Sequence, residues 1–200
     1  MISRTNKELG IPDRCLVPKE SIAFSLASKN IKTLPLHLQL SLRLQEYFGL
    51  RREESAKIIP LDALSLTHLN LSASWIKGGR ERSIPIENID QGDLIADLED
   101  YVGEYGRTSL IPSSMSYRKY LSHRQHHLAS IGIGRTHGLR HQFAQQRYLS
   151  MSNGLLPRRL GGPLVREMTE QEKTPDTFAR LRVSSELGHS RIGITRTYLG

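Results

Sequence analysis

The stretch Ser185-Glu-Leu-Gly-His-Ser-Arg-Ile-Gly-Ile-Thr-Arg-Thr-Tyr-Leu-Gly200 places a histidine directly after Leu-Gly and a tyrosine nine residues beyond it. An earlier stretch, Thr136-His-Gly-Leu-Arg-His141, places another histidine three residues before an arginine. Both stretches are predicted to lead into helices, at residues 139–151 and 191–198. The histidines, the arginine and the tyrosine of these stretches therefore lie near helix ends. Arginine and histidine are residue types that bind phosphate, and tyrosine is one that can attack it.

The remaining pattern predicts a mainly α-helical fold with one small antiparallel β-hairpin (class α+β). From Leu36 to Phe48, apolar residues recur at every fourth position without Gly or Pro, which predicts a helix that Gly49 ends. A second helix is expected from about Arg52 until Pro60. Further helices are expected at residues 90–105, 116–130, 139–151, 177–187 and 191–198.

Two short strand-like runs, Leu69–Ile76 and Ser83–Ile86, enclose the basic segment Lys77-Gly-Gly-Arg-Glu-Arg82. This arrangement predicts a hairpin with a positively charged tip. Residues 152–176 are rich in turn formers and show no clear periodicity, so we expect a long connection there, of a kind that is usually functional or mobile.

Residues 1–34 contain scattered Gly and Pro and one short apolar stretch, with no long periodic pattern. We expect this segment to be an N-terminal arm or the remnant of something larger. We expect residues 35–200 to form the main folded domain, which carries the motifs quoted above.

Composition favours a globular chain with a polyanionic partner. Hydrophobic residues make up 38% and charged residues 24%, while the net charge of +8 and the pI near 9.8 suit nucleic acid. The one cysteine, Cys15, cannot form an intrachain disulfide, and the sequence has no signal-like apolar core and no run long enough to span a membrane. We therefore expect a cytoplasmic protein without a membrane partner.

The combined motifs resemble the catalytic domain of tyrosine recombinases, the phage-integrase family, in which an Arg, a Lys, a His-x-x-Arg, a His or Trp, and a terminal Tyr follow in that order. The resemblance extends over residues 48–198 and implies the tyrosine recombinase catalytic-domain fold. The positions that fill the order are Arg51, Lys77, His137, Arg140, His189 and Tyr198.

Opening a phosphodiester without a metal requires a nucleophile, donors for the non-bridging oxygens, and a proton for the departing 5′ oxygen. The resemblance implies that Tyr198 is the nucleophile and forms a 3′-phosphotyrosyl intermediate. Arg51 and Arg140 would bind the phosphate oxygens, since a guanidinium offers a planar fork of donors. Lys77 would protonate the leaving 5′ oxygen, or alternatively would only contact backbone phosphates.

His137 and Arg140 are three residues apart at a helix start, on one face and near the positive end of the helix dipole. His137 would donate to a phosphate oxygen or accept the tyrosine proton. His189 fits the His/Trp position, for which the resemblance implies a hydrogen bond to the scissile phosphate. Ser190 after it would cap the last helix.

The segment Phe48-Gly-Leu-Arg-Arg-Glu-Glu-Ser55 is similar to the first conserved motif of the family. The similarity implies that Arg51 is the first phosphate-binding arginine, with Arg52 as the alternative. Glu54 follows Arg51 by three residues, so its carboxylate can orient the guanidinium, and we assign it a supporting role.

Several further arginines are expected to contact the DNA backbone. They are Arg80 and Arg82 in the hairpin, together with Arg135, Arg147 and Arg191. A cluster of histidines, His123, His126 and His127, has a spacing that metal ligands also show, but no carboxylate or Cys nearby completes a ligand set. We expect neither a metal nor another cofactor.

The preferred function is that of a site-specific DNA recombinase or integrase of a mobile genetic element, acting on double-stranded DNA. The resemblance implies four protomers in a full reaction. One alternative is relaxation of DNA by a type IB topoisomerase, which uses a similar set of residues with a swivel step. Another is a non-cutting DNA-binding module derived from an integrase, which would bind DNA without a covalent intermediate.

Overall fold

A computed structural model describes residues 22–76, 80–189 and 191–200, and within them it contains eight α-helices and two β-strands. The helices are α1 (Leu36–Tyr47), α2 (Arg52–Lys57), α3 (Pro60–Ala63), α4 (Ile89–Tyr105), α5 (Tyr117–Ser130), α6 (His137–Met151), α7 (Glu170–Glu186) and α8 (Arg196–Leu199). The strands are β1 (His68–Leu71) and β2 (Arg82–Pro85). The predicted fold class, mainly helical with one small antiparallel sheet, is confirmed.

Helix α1 lies in the interior because it is apolar on two faces. Leu40 and Leu44 pack in one hydrophobic cluster with the sheet, α4, α6 and α7, while Leu38 and Leu42 pack in a second cluster with α5. Gly49 follows the helix with φ +61°, and a Cβ there would lie 2.4 Å from the ring of Phe143. A residue other than glycine would therefore push α1 and α6 apart.

The described part of the predicted N-terminal arm, residues 22–34, packs against this core. Leu26 and Leu34 are each 4% exposed in the second cluster. The buried carboxylate of Glu46 accepts hydrogen bonds from Ser25 Oγ at 2.6 Å and from Leu26 N at 2.8 Å. Near these contacts the Ile22 carbonyl approaches Gly138 so closely that a Cβ would lie 2.2 Å from it. Residues 22–34 thus hold the first turn of α6.

The two strands pair antiparallel, with Leu69 opposite Ile84 and Leu71 opposite Arg82. Paired residues point to the same face of a sheet, so Arg82 shares the core-facing side with Leu71 and Ile84. The prediction of a strand as far as Ile76 was wrong, because β1 ends at Leu71 and Ala73–Trp75 forms a 3₁₀ turn. The Ser and Ala residues there have low strand preference.

The prediction of a loop across residues 152–176 was wrong for its last part, because α7 begins at Glu170 rather than at Thr177. Thr169 accepts a hydrogen bond from Glu172 N while the Glu172 carboxylate accepts one from Thr169 N, which forms a capping box. Pro175 lies inside the helix and removes one hydrogen-bond donor. The capping motif outweighs the proline, and the connection shortens to residues 152–169.

The end of the chain also differs from its prediction of one helix over 191–198. A 3₁₀ turn, Ile192–Thr195, precedes the single α-helical turn of α8. Gly193 lowers the helical preference of this segment. The expected capping residue Ser190 lies outside the described residues. None of the described helices is long and apolar enough to cross a membrane.

Candidate active site

Arg140 lies in the first turn of α6 and is only 1% exposed. Its Nη1 donates a hydrogen bond to the carbonyl oxygen of Gly49, and its Nη2 donates to the carbonyl oxygen of Leu187 at 2.5 Å. Leu187 caps the C-terminus of α7, and Gly49 follows the C-terminus of α1. The guanidinium is thus held at the partly negative ends of two helices.

No carboxylate lies within ion-pair distance of Arg140 among the described residues. Burial lowers the pKa of Arg140 to about 10, and the group therefore keeps its charge at neutral pH. Neutral carbonyl oxygens orient a guanidinium without cancelling its charge. Burying such a charge without a counterion is costly, and an anion such as phosphate would form strong hydrogen bonds with it.

Tyr198 lies directly against Arg140. Its hydroxyl oxygen accepts a hydrogen bond from Arg140 Nε at 3.1 Å and lies 3.4 Å from Nε2 of His189. The residue is 4% exposed, and its backbone carbonyl accepts a hydrogen bond from Gln145 Nε2 at 3.1 Å. Helix α8 is thereby anchored on α6, with the phenol directed at the buried guanidinium.

His189 can accept a proton from this tyrosine. Burial, followed by the nearby charges of Arg140 and Arg51, lowers the pKa of His189 to about 4. The ring is therefore neutral at pH 7, and a neutral imidazole has one nitrogen that accepts. Its Nε2 lies 3.3 Å from Arg140 Nη2 as well as 3.4 Å from the Tyr198 hydroxyl, so Nε2 is the accepting nitrogen.

His137 occupies the open side of the same site. Its ring centroid lies 6.0 Å from that of Tyr198, and the residue is exposed. Burial of part of the ring, together with the charge of Arg140, lowers the pKa of His137. Of the two histidines proposed from the sequence, His189 has its nitrogen near the tyrosine hydroxyl, while His137 flanks the ring.

Glu54 connects Arg51 with Arg82. Its Oε2 accepts from the backbone N of Arg51 and from Arg82 Nη2, both at 2.7 Å, and its Oε1 accepts from Arg51 Nη1 at 2.5 Å. Burial alone would raise the pKa of Glu54, but the Arg82 and Arg51 contacts outweigh it and lower that pKa to about 2. The carboxylate stays ionised and fixes Arg51, which is still about one third exposed.

Arg82 and Arg147 were predicted to contact DNA, and the structure gives both a different environment. The Arg82 side chain is 5% exposed, and it binds Glu54 and the carbonyl oxygen of Glu186. Arg147 is 10% exposed and is paired with Glu87 and, at 2.8 Å, with Glu186. Both guanidinium groups are paired with carboxylates, from which we infer structural roles for them, and their predicted DNA contacts stay a prediction.

The other predicted DNA-contacting arginines, Arg80, Arg135 and Arg191, are exposed. Lys77, the predicted acid, lies outside the described residues. The predicted histidine cluster forms ring contacts, such as 4.4 Å between the centroids of His123 and His127. In the part of the chain that the structure describes, no three His, Cys, Asp or Glu residues are arranged to hold a metal ion.

Sequence reasoning assigned no role to His141 or Gln145. The His141 ring centroid is 4.7 Å from that of Tyr198, and neither ring nitrogen has a hydrogen-bond partner within the described chain. Burial first, then the neighbouring His137, lowers the pKa of His141 to about 4. The signal was the i, i+4 spacing of His137, His141 and Gln145, which places all three on the face of α6 that meets α8.

Comparison with known families places the chain in one of them. The family model described as Integrase matches residues 16–146, which is more than half of the chain. The chain therefore belongs to the integrase family, that of phage integrases and tyrosine recombinases, and has a general role in DNA integration or recombination. The match includes Arg51 and Arg140 and ends before His189 and Tyr198. A comparison with curated proteins found none that matches the chain.

Proposed function

We propose that this protein is a tyrosine-type site-specific DNA recombinase that cleaves and rejoins strands through a covalent 3′-phosphotyrosyl intermediate. The observation that carries the proposal is the contact of the Tyr198 hydroxyl with Arg140 Nε at 3.1 Å and with His189 Nε2 at 3.4 Å. A phenol between a fixed guanidinium and a neutral imidazole has both of the groups that nucleophilic attack on a phosphate needs.

In the cleavage step, the Tyr198 oxygen bonds to the phosphorus and the bond from phosphorus to the 5′ oxygen breaks. The phenolic proton passes to His189 Nε2, and the departing 5′ oxygen takes a proton from Lys77. Arg140 and Arg51 donate to the two non-bridging oxygens, where negative charge grows. Attack by a 5′ hydroxyl on the phosphotyrosine reverses the step and releases Tyr198, so strands are rejoined without a cofactor.

The uncompensated charge of Arg140 supports this use of the site. A guanidinium that only stabilised the fold would gain more from a carboxylate partner, as Arg147 does. Arg140 is held by carbonyl oxygens instead, and its pKa leaves it protonated. Glu54 orients Arg51 beside it without enclosing that side chain.

Strand exchange between two sites requires four such tyrosines, so we propose that four protomers assemble on double-stranded DNA. Exposed Arg80, Arg135 and Arg191 would contact the backbone, with an affinity that falls as salt rises. The DNA that flanks the protein's own gene is the natural first substrate, since a mobile element recombines at its own ends.

The test is covalent trapping in metal-free buffer on nicked duplexes taken from that flanking DNA, followed by a denaturing gel. We expect a band of protein joined to DNA that Tyr198→Phe removes while duplex binding is retained. Tyr117→Phe is the matched control, because it removes a phenolic hydroxyl on α5 and should leave the band unchanged.

A wild-type protein that binds the duplex but forms no band would contradict the proposal and favour a non-cutting module. Multiple-turnover relaxation of supercoiled DNA without sequence preference would favour a topoisomerase.

A further inference from the structure

A cavity of about 510 Å³ opens beside Arg140, between α1, α2, α5 and the start of α6. Its lining is dominated by positive charge, with one carboxylate, Glu53, among the described residues that surround it. Glu53 is already paired with Lys57 at 2.6 Å. The arginines that line the cavity are Arg51, Arg52, Arg124, Arg135 and Arg140.

Arg124 is buried, whereas Arg52 and Arg135, the other cavity arginines without a proposed catalytic role, are exposed. It is 6% exposed, and its Nη2 donates to the hydroxyl of Thr136 at 2.7 Å. That hydroxyl donates to Gln45 Oε1 at 2.7 Å, and Gln45 Nε2 donates to the carbonyl oxygen of Ser41 at 3.0 Å. This relay is neutral throughout, and it fixes the direction of the guanidinium.

No carboxylate lies within 4.0 Å of Arg124 in the described ranges. Burying a guanidinium without a counterion is costly, so such a group is kept where an anion binds. Burial lowers the pKa of Arg124, and the positive charge of nearby Arg52 lowers it further. An anion between the two arginines would relieve both effects.

We propose that this cavity binds a second DNA backbone phosphate, next to the phosphate held by Arg51 and Arg140, with Arg124 as its buried anchor and Arg52 and Arg135 as exposed contacts. The inference rests on the proposed function for the identity of the neighbouring phosphate. The phosphate at Arg124 is bound and not cleaved, because the hydroxyl of Tyr198 contacts Arg140 and His189, and neither Tyr198 nor His189 lines this cavity.

The test measures binding of a short fluorescent duplex at several salt concentrations. Arg124→Gln should lower the slope of log K against log salt by about one and weaken binding roughly tenfold near 0.1 M salt, as expected for one lost phosphate contact. Arg118→Gln is the matched control, because it removes an exposed arginine from the same helix, outside the cavity. A slope for Arg124→Gln equal to that of Arg118→Gln would overturn the inference, as would a wild-type chain that does not bind the duplex.

Because Arg124 is buried, thermal unfolding of the variant is measured beside binding. If Arg124→Gln does not fold, the salt dependence of binding is measured for the two exposed variants, Arg52→Gln and Arg135→Gln. A salt slope that neither substitution changes would overturn the proposed phosphate site.

Covalent trapping separates this proposal from the proposed cleavage mechanism. The rate of band formation at saturating DNA reports the reacting groups, whereas the salt slope of Arg124→Gln reports the second phosphate contact. A changed salt slope without any band in the wild type would instead reject the cleavage mechanism while keeping the phosphate site.

Discussion

Arg140 and Arg147 lie two turns apart on α6, and at most a tenth of either side chain is exposed, yet their surroundings have opposite electrostatics. Arg140 is held by the carbonyl oxygens of Gly49 and Leu187 and keeps a net positive charge. Arg147 is held by the carboxylates of Glu87 and Glu186. The difference teaches that burial of an arginine does not decide its role, whereas charge compensation does.

The largest effect should follow removal of the uncompensated charge. Arg140→Gln deletes the donors for a non-bridging oxygen, so we expect the rate of covalent complex formation to fall by about 10³-fold. Single-turnover trapping at saturating DNA measures it. Arg147→Gln under the same conditions should stay within about threefold of wild type, because Arg147 does not contact the reacting groups. Equal losses in both variants would break the distinction between the two arginines.

Arg147 should instead matter for stability. Arg147→Met leaves the carboxylate of Glu186, 4% exposed, without its main partner, and we expect the free energy of unfolding to fall by about 3 kcal/mol. Chemical denaturation measures it. The double variant Arg147→Met with Glu186→Gln removes the stranded charge and should recover part of the loss. A loss below about 0.5 kcal/mol, the level of an ordinary surface substitution, would contradict the assigned structural role.

The contrast between Arg140 and Arg147 could not be read from the sequence. The carboxylates that neutralise Arg147 lie 60 and 39 residues away, and only the tertiary fold brings Glu87 and Glu186 to it. Arg82 illustrates the same limit, because its core-facing position depends on the register that pairs it with Leu71. A shift of one residue in the pairing register of a strand moves every one of its side chains to the opposite face.

Local patterns predicted much more. Apolar residues at every fourth position predicted α1, and two strand-like runs around a Gly-containing segment predicted the hairpin. Both signals depend only on residues that are close in sequence. The ordered motifs also selected Arg140, His189 and Tyr198, which are in contact in the structure. What remained hidden was the buried environment between them, such as the ring of His141 against Tyr198.

His141 provides a pH test of the buried environment beside Tyr198, because burial is the main cause of its lowered pKa. Its pKa is lowered to about 4 in the folded protein, whereas an unfolded chain binds the proton near pH 6.5. The stabilising contribution is therefore complete above pH 6.5 and decreases as the pH falls toward 4, by at most about 3 kcal/mol.

Unfolding free energies of wild type and His141→Phe, measured from pH 7.5 to 4, give this contribution as a difference. The wild type should lose more stability than the variant over that window, since Phe does not titrate. Parallel curves would show that His141 is protonated in the folded state as readily as in the unfolded state. The ring beside Tyr198 would then be more hydrated than its burial in the structure indicates.

The smallest expected effect concerns Gly188, which turns the chain after α7 with φ +68° and so presents the Leu187 carbonyl to Arg140. In Gly188→Ala the new Cβ would lie 3.1 Å from Arg82 Nη1 in a left-handed conformation, and we expect a loss of about 1–2 kcal/mol in unfolding free energy. Gly92→Ala in α4 is the matched control, because its Cβ meets nothing within 4 Å and helix preference predicts a gain of about 0.5–1 kcal/mol. Covalent trapping should slow in Gly188→Ala and not in Gly92→Ala. If Gly188→Ala were destabilised without slower trapping, the Leu187 carbonyl would not be needed to aim Arg140, and the Gly49 carbonyl alone would be sufficient.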